Sequence, residues 1–225
     1  MEDDYVMRTF GNSYTNDRVT SIGDRAFERC SKLTTVNFPA ATVIGSSAFN
    51  ECSKLTTISF PAATEIRPDA FRYCSSLTTA SFSKVTRIGM SAFLRCSSLT
   101  TASFPAATSL AWGAFESCYK LKTIYFPKVT YIGDSAFAYC KSLTSASFPA
   151  ATEIDSYAFR SCTSLTTASF PKVTSIGVSA FHNCSKLTRI SFPAATYIST
   201  YAFASCSSLT TASFPKVTSI ASYAF

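Results

Sequence analysis

The residue types that carry most enzyme and metal chemistry are scarce in this 225-residue chain, which has one histidine and one tryptophan. It contains no Gly-rich phosphate loop, no G-x-S-x-G motif and no H-E-x-x-H motif. Its acidic residues are few and scattered over most of its length. These absences predict a protein that is not an enzyme and that holds no metal and no cofactor.

Long apolar runs are also lacking, and no stretch of 18 apolar residues exists that would span a membrane. The acidic start at Met1–Asp4 has no apolar segment behind it, so it is not a secretory signal. We therefore expect no membrane insertion, and either a cytosolic protein or a mature region behind an added Met. The chain stops at Phe225 in mid-repeat, which favours a segment cut from a longer protein.

Charge is sparse as well, because Asp, Glu, Lys and Arg make up only 15% of the chain. Residues 1–69 hold seven basic and nine acidic residues, a balance of −2, whereas residues 70–225 hold thirteen and four, a balance of +9. A basic surface attracts polyanions, but scattered charge usually only solvates a protein. We expect no specific nucleic-acid partner.

The nine cysteines recur at an exact spacing of 22 residues. They are Cys30, Cys52, Cys74, Cys96, Cys118, Cys140, Cys162, Cys184 and Cys206. A period of 20–29 residues is typical of a solenoid, in which each repeat contacts only its neighbours. A zinc site needs close cysteine pairs, and disulfides are disfavoured by the odd number and by the shared inward direction. The spacing favours free thiols that pack as small hydrophobic side chains in a structural ladder.

Two periodicities share one repeat. Ala48, Cys52 and Leu55 fall on one face of about two helical turns, which predicts a short helical segment. Ile58 and Phe60 then alternate with hydroxyl residues, which predicts a strand with one buried face. The expected helix N-caps are Asp24, Ser46, Asp134 and Ser156.

A longer period of 44 residues overlies the repeat, because Lys-Val-Thr at Lys84, Lys128, Lys172 and Lys216 alternates with Ala-Ala-Thr. At a strand spacing of about 4.8 Å, these lysines stand roughly 10 Å apart in a row. We favour spacing of like charges along an exposed edge over a binding stripe.

The pattern Ile-Gly-x-x-Ala-Phe-x-x-Cys-x-x-Leu-x-x-Ile-x-Phe-Pro, nearly intact at 44–61 and 132–149, resembles the BspA-like, or Treponema-type, leucine-rich repeat. The resemblance covers about residues 19–225. It implies an α/β fold: a right-handed leucine-rich-repeat solenoid of 22-residue coils, with a parallel β-sheet on one face and short helical turns on the other. We divide the chain into an N-terminal tail or partial cap, 1–18, and a solenoid, 19–225, of about nine to ten coils with no evident C-terminal cap.

The resemblance also implies a cell-surface or secreted protein, often an adhesin that binds host or neighbouring-cell molecules. The exposed strand face is the candidate site, because a monotonous row of Thr and Ser is broken by Lys122, Tyr125 and Arg189. Tyr and Arg tend to carry interface energy, although both are also ordinary variation among repeats. His182 and the pair Glu153 and Asp155 are weaker candidates, for which a plain surface role is the simpler interpretation, and Trp112 either packs locally or anchors a partner.

Three hypotheses follow. The first is a non-enzymatic recognition module that binds protein or glycan on another cell or matrix. The second is a structural stalk that self-associates end to end through its uncapped last coil, near Phe214–Phe225. The third and weakest is an ice-binding array of hydroxyl groups.

Overall fold

A computed structural model describes residues 12–225 as a parallel β-solenoid of about nine coils. We number the coils by their cysteine, from coil one at Cys30 to coil nine at Cys206. Each full coil contributes one three-residue strand, one two-residue strand and a six-residue turn segment such as 24–29 or 46–51. The predicted tail lies partly outside the described residues, and its described part contributes the first strand.

The three-residue strands carry odd numbers: β1 (Ser13–Thr15), β3 (Thr35–Asn37), β5 (Thr57–Ser59), β7 (Thr79–Ser81), β9 (Thr101–Ser103), β11 (Thr123–Tyr125), β13 (Ser145–Ser147), β15 (Thr167–Ser169), β17 (Arg189–Ser191) and β19 (Thr211–Ser213). The two-residue strands carry even numbers: β2 (Ser21–Ile22), β4 (Val43–Ile44), β6 (Glu65–Ile66), β8 (Arg87–Ile88), β10 (Ser109–Leu110), β12 (Tyr131–Ile132), β14 (Glu153–Ile154), β16 (Ser175–Ile176), β18 (Tyr197–Ile198) and β20 (Ser219–Ile220). Pairing is parallel and in register, so Thr35 faces Thr57.

The two sets of strands differ in continuity. The two-residue strands form one sheet of ten strands, whereas the three-residue strands form three sheets, interrupted after β5 and after β11. At both interruptions an isoleucine in mid-strand, Ile58 or Ile124, is followed by an alanine in the next coil. Both isoleucines are only partly buried. The abrupt loss of side-chain volume therefore accompanies each break, although β17 and β19 stay paired across the same change.

The core is a pair of phenylalanine rows. Within a row the rings stack, as for Phe115 and Phe137, whose centroids are 5.5 Å apart at 6°. Between rows they meet edge-on, as for Phe104 and Phe115 at 5.8 Å and 65°. Both arrangements suit the quadrupole of the aromatic ring, so the rows add specific geometry to a large buried apolar surface.

The cysteine ladder lies beside these rows, and all nine thiols are free and buried. From coil two onward each Sγ lies 3.0–3.3 Å from the carbonyl oxygen of the phenylalanine 25 residues earlier, as in Cys118 to Phe93, and donates its hydrogen to it. The cysteines therefore satisfy carbonyl groups inside the stack as well as filling space.

The predicted helical turns are wrong, because residues 12–225 contain no helix. In the turn segments alternate N–H groups bond to the next coil, as in Phe27 to the Ala48 oxygen at 2.7 Å and Arg29 to the Asn50 oxygen at 2.7 Å. The N–H groups between them bond to the carbonyl three residues earlier and close four-residue turns within the coil. An α-helix directs these donors along its own axis, so a solenoid that shares them between coils cannot form one here.

The backbone φ angles also exclude a helix in the turn segments. Two residues of each complete turn segment have a positive φ, for example Ser135 at 56° and Tyr139 at 62°. The expected N-caps consequently act differently. The Asp24 carboxylate accepts the backbone N–H of Ser46 in the next coil at 2.8 Å, and so joins two coils.

The 44-residue period has a packing basis. Each three-residue strand is followed by an apolar residue at an equivalent position in every coil. From Ala63 to Val217, alanine and valine alternate at this position between successive coils. At the corner before the turn, glycine alternates with larger residues between 45 and 199. A Cβ on Gly177 would lie 2.5 Å from the backbone of Asp155 in the preceding coil. Adjacent coils are therefore complementary, and the packing unit is two coils.

Threonine joins the coils at the other corner. In the column from Thr42 to Thr218 every threonine donates both its N–H and its hydroxyl to the carbonyl of the threonine 22 residues earlier. For Thr130 and Thr108 the two distances are 2.9 Å and 3.2 Å. One carbonyl oxygen with two lone pairs thus accepts two bonds from one residue.

Candidate functional site

The candidate patch lies on the three-residue strand face, among exposed hydroxyl groups. Tyr125 is the last residue of β11 and is 55% exposed, Lys122 precedes that strand and is exposed, and Arg189 begins β17 and is exposed. The interruption after β11 separates the first two from Arg189, which belongs to another sheet. Tyr125 and Arg189 thus lie on the three-residue strands in two different sheets, and Lys122 is exposed just before the strand of Tyr125.

A small cavity marks the other interruption of this face. It has a volume of about 180 Å³ and is lined by Thr56, Thr57, Ile58, Thr78, Thr79 and Ser81, on either side of the gap between β5 and β7. Its lining is almost entirely hydroxyl, with no charged group. It can accept and donate hydrogen bonds but offers no anchor for a charged ligand.

The turn segments carry five of the ten arginines and five of the eleven tyrosines of the chain. A groove of about 660 Å³ crosses coils one to three, where Arg29 pairs with Glu51 at 3.3 Å beside Tyr73. The guanidinium carbons of Arg72 and Arg95 lie 4.9 Å and 5.7 Å from the centre of the Tyr73 ring. The two charged residues that line this groove, Arg29 and Glu51, pair with each other, so the groove offers shape rather than unbalanced charge.

A second group of this kind lies on coils six to eight. The Arg160 guanidinium lies 5.4 Å from the centre of the Tyr157 ring and 6.0 Å from that of Tyr139. His182 occupies the same position as Arg160 in the next coil. Sequence reasoning treated His182 as plain surface and passed over Arg160, because the turn positions vary from coil to coil. The sequence offered one signal for Arg160: Tyr157 lies three residues before it, and Tyr139 lies in the turn segment of the preceding coil.

In the pair Glu153 and Asp155, the Asp155 carboxylate is engaged by a tyrosine. The Tyr131 hydroxyl donates to Asp155 Oδ2 at 2.6 Å, and this bond raises the pKa of Tyr131 to about 12. Among residues 12–225 no group of three metal-ligating side chains comes together. The described carboxylates therefore give no evidence for a metal centre.

Trp112 is 45% exposed at the start of the coil-five turn, and Met90, which is 49% exposed, has the same position one coil earlier. Lys84, Lys128, Lys172 and Lys216 are exposed along the corner after the three-residue strands. In the last coil Tyr223 and Phe225 are exposed, and self-association there stays a prediction. The described part of the chain has no helix long and apolar enough to cross a membrane.

Comparison with known proteins identifies the class. Residues 9–112 and 108–225 match the BspA type Leucine rich repeat region in six copies, so the chain belongs to this family and the resemblance is confirmed. No curated protein sequence matches it significantly.

Solved structures share the fold. A leucine rich cell surface protein from Faecalibacterium prausnitzii matches with a TM-score of 0.56 at 23% identity, over 93% of this chain and 81% of that one. The T. pallidum leucine rich repeat protein matches with 0.57 at 28% identity, over 79% and 78%. A leucine-rich repeat protein from Bacteroides ovatus matches with 0.56 at 28% identity, over 81% of this chain and only 61% of its own length.

Proposed function

We propose that this protein is a non-enzymatic recognition module of a bacterial cell surface that binds a protein or a glycan. Support comes from the family, whose repeats build a scaffold, and from the F. prausnitzii structure, which is described as a cell surface protein. The described residues add an extended face of stacked strands, and no three of their metal-ligating side chains come together. An extended face suits the recognition of a large partner.

The observation that carries this proposal is the break in the hydroxyl face at Tyr125. Its ring is 55% exposed where the equivalent residue is serine or asparagine in every other full coil. Exposed tyrosine next to lysine offers apolar area, a hydroxyl group and a cation in one coil, and such residues often dominate binding energy. Arg189 extends the same face by a guanidinium, about 14 Å away at the usual strand spacing.

The test is a binding screen against immobilised matrix proteins and a glycan array, followed by substitutions on the strand face. Tyr125→Ala and Arg189→Ala are expected to weaken binding of any ligand found by about tenfold or more each, since interface hot spots contribute at least that much. Ser103→Ala and Thr211→Ala pair in register with these two positions and serve as matched controls. Equal binding by all four variants and the parent would remove this patch from the proposal.

The ice-binding alternative needs a flat and unbroken array of hydroxyl groups. The interruptions after β5 and β11, with Tyr125 and Arg189 exposed on the same face, argue against it. A measurement of thermal hysteresis at high protein concentration is expected to give no effect.

A further inference from the structure

Coil three and coil seven have an arginine at the same position, but the residues around the two arginines differ. In coil three Arg72 Nη1 bonds to Asp69 Oδ1 at 3.3 Å, while its guanidinium packs on Tyr73. Arg160 is the equivalent residue four coils later, and the residue equivalent to Asp69 is Tyr157. Arg160 therefore keeps the aromatic packing but lacks the carboxylate.

No substitute carboxylate replaces it. Within residues 12–225 the ion pairs found all lie between Asp24 and Arg87, so none reaches Arg160. Arg160 Nε and His182 Nδ1 are both shielded from solvent without a hydrogen-bond partner, and so is Arg72 Nε, so the difference between the two coils is the missing carboxylate. Arg160 as a whole is only half-buried, so an anion can bond to its terminal guanidinium nitrogens and supply the counterion that Asp69 supplies to Arg72.

His182 adds a second nitrogen-bearing group beside Arg160. Partial burial, together with the positive charge of Arg160, lowers the pKa of His182. The imidazole is thus mainly neutral near pH 7 and can donate one hydrogen bond without adding a second full charge. Together with the guanidinium of Arg160 in the preceding coil, it offers nitrogen donors to the oxygens of a carboxylate.

We propose that Arg160 and His182 bind a carboxylate from an acidic segment of a partner protein, which supplies the counterion that Asp69 supplies to Arg72. The surroundings favour a peptide, because Tyr157 and Tyr139 flank the guanidinium and the backbone of Tyr157 bonds to Val178, whose side chain is 38% exposed. These apolar groups beside the guanidinium can contact the apolar residues that flank an acidic side chain in a peptide. The proposal rests on the recognition function. It places this contact on the turn segments, a different part of the surface from the strand face that carries Tyr125 and Arg189.

The single histidine makes the test specific, since one set of imidazole signals in an NMR spectrum reports on this site alone. A short oligoglutamate peptide is the probe, and a heparin oligosaccharide is the second arm. We expect saturable shifts of the His182 signals with oligoglutamate, and weaker binding of the oligosaccharide. Stronger binding of the oligosaccharide would overturn the assignment to a peptide, and no shift with either would overturn the site.

Two variants and one control separate binding from folding. Arg160→Gln is expected to weaken the oligoglutamate complex about ten- to a hundredfold, the range for a hydrogen bond to a charged group. Tyr157→Asp rebuilds the coil-three arrangement, because Asp69 adopts the same backbone with φ of 58° against 59° for Tyr157, and should block the site from within. Arg72→Gln is the matched control and should leave binding unchanged.

The outcomes also distinguish this site from the strand face. Tyr125→Ala should leave the oligoglutamate shifts of His182 intact, and Arg160→Gln should leave any strand-face ligand bound. If circular dichroism shows that the Tyr157→Asp variant is folded, and it still binds oligoglutamate like the parent, then the peptide carboxylate does not pair with Arg160. The inference is then wrong.

Discussion

At the residue scale, the cysteine ladder shows how a reactive group becomes inert through its position. Burial raises the pKa of the Cys118 thiol well above its usual range, and the hydrogen is already donated to the Phe93 carbonyl. Reactivity needs the thiolate and access to solvent, and this column offers neither. The sequence reasoning anticipated free buried thiols but not the carbonyl groups that they satisfy.

We predict that the thiols of the folded protein resist modification by a disulfide reagent at pH 8, whereas in denaturant all nine react. Cys206 should react first, because it is 9% exposed near the chain end, and burial raises its pKa only to about 11. Mass spectrometry after timed quenching measures the order. Early modification of Cys118 would contradict the buried ladder.

At the element scale, local patterns specified the strands and failed for the turns. Alternation of Ile58 and Phe60 with hydroxyl residues predicts a strand, and β5 lies there, because one face of the chain must be buried. Ala48, Cys52 and Leu55 have helical spacing and are buried, yet no helix forms. Their backbone partners lie in the neighbouring coil, and a pattern within one repeat carries no information about them.

The alternation of glycine with larger residues gives an element-scale prediction. Gly177→Ala should destabilise the protein by about 1–3 kcal/mol, since its Cβ would meet the Asp155 backbone and force the coils apart. Gly23→Ala is the matched control, because nothing lies within 4 Å of the corresponding Cβ. Denaturant unfolding of both variants measures the difference. Equal midpoints would show that the backbone at Gly177 can shift to make room for a Cβ atom without loss of stability.

At the scale of the whole molecule, each coil is stabilised only by its two neighbours. Truncation of a central phenylalanine, Phe115→Ala, should cost about 3–5 kcal/mol through lost burial and an unfilled cavity. Its ring stacks on Phe93 and Phe137, at 5.0 Å and 5.5 Å, so coils four to six should weaken first.

Hydrogen exchange is the measurement for this variant. Protection is expected to fall in coils four to six while the amides of coils one and nine change little. A uniform loss along the solenoid would mean that the molecule unfolds as one unit, against the nearest-neighbour picture.

The sites differ in how far sequence could lead to them. Tyr125 and Arg189 interrupt a regular hydroxyl row, so they are visible as exceptions in the repeat. Arg160 was not, because the turn positions vary in every coil. Its unusual state emerges only when the chain is folded and Asp69 is seen to pair with Arg72 but to have no counterpart near Arg160.

The two-coil packing unit also constrains how such a chain changes length in evolution. Loss or gain of a single coil within 45–199 would bring two glycine corners together, or two bulky corners, and disturb the alternation of valine with alanine beneath them. Loss or gain of 44 residues would restore both of these alternations at the junction. Recombination between copies of the gene would therefore tend to add and remove coils in pairs.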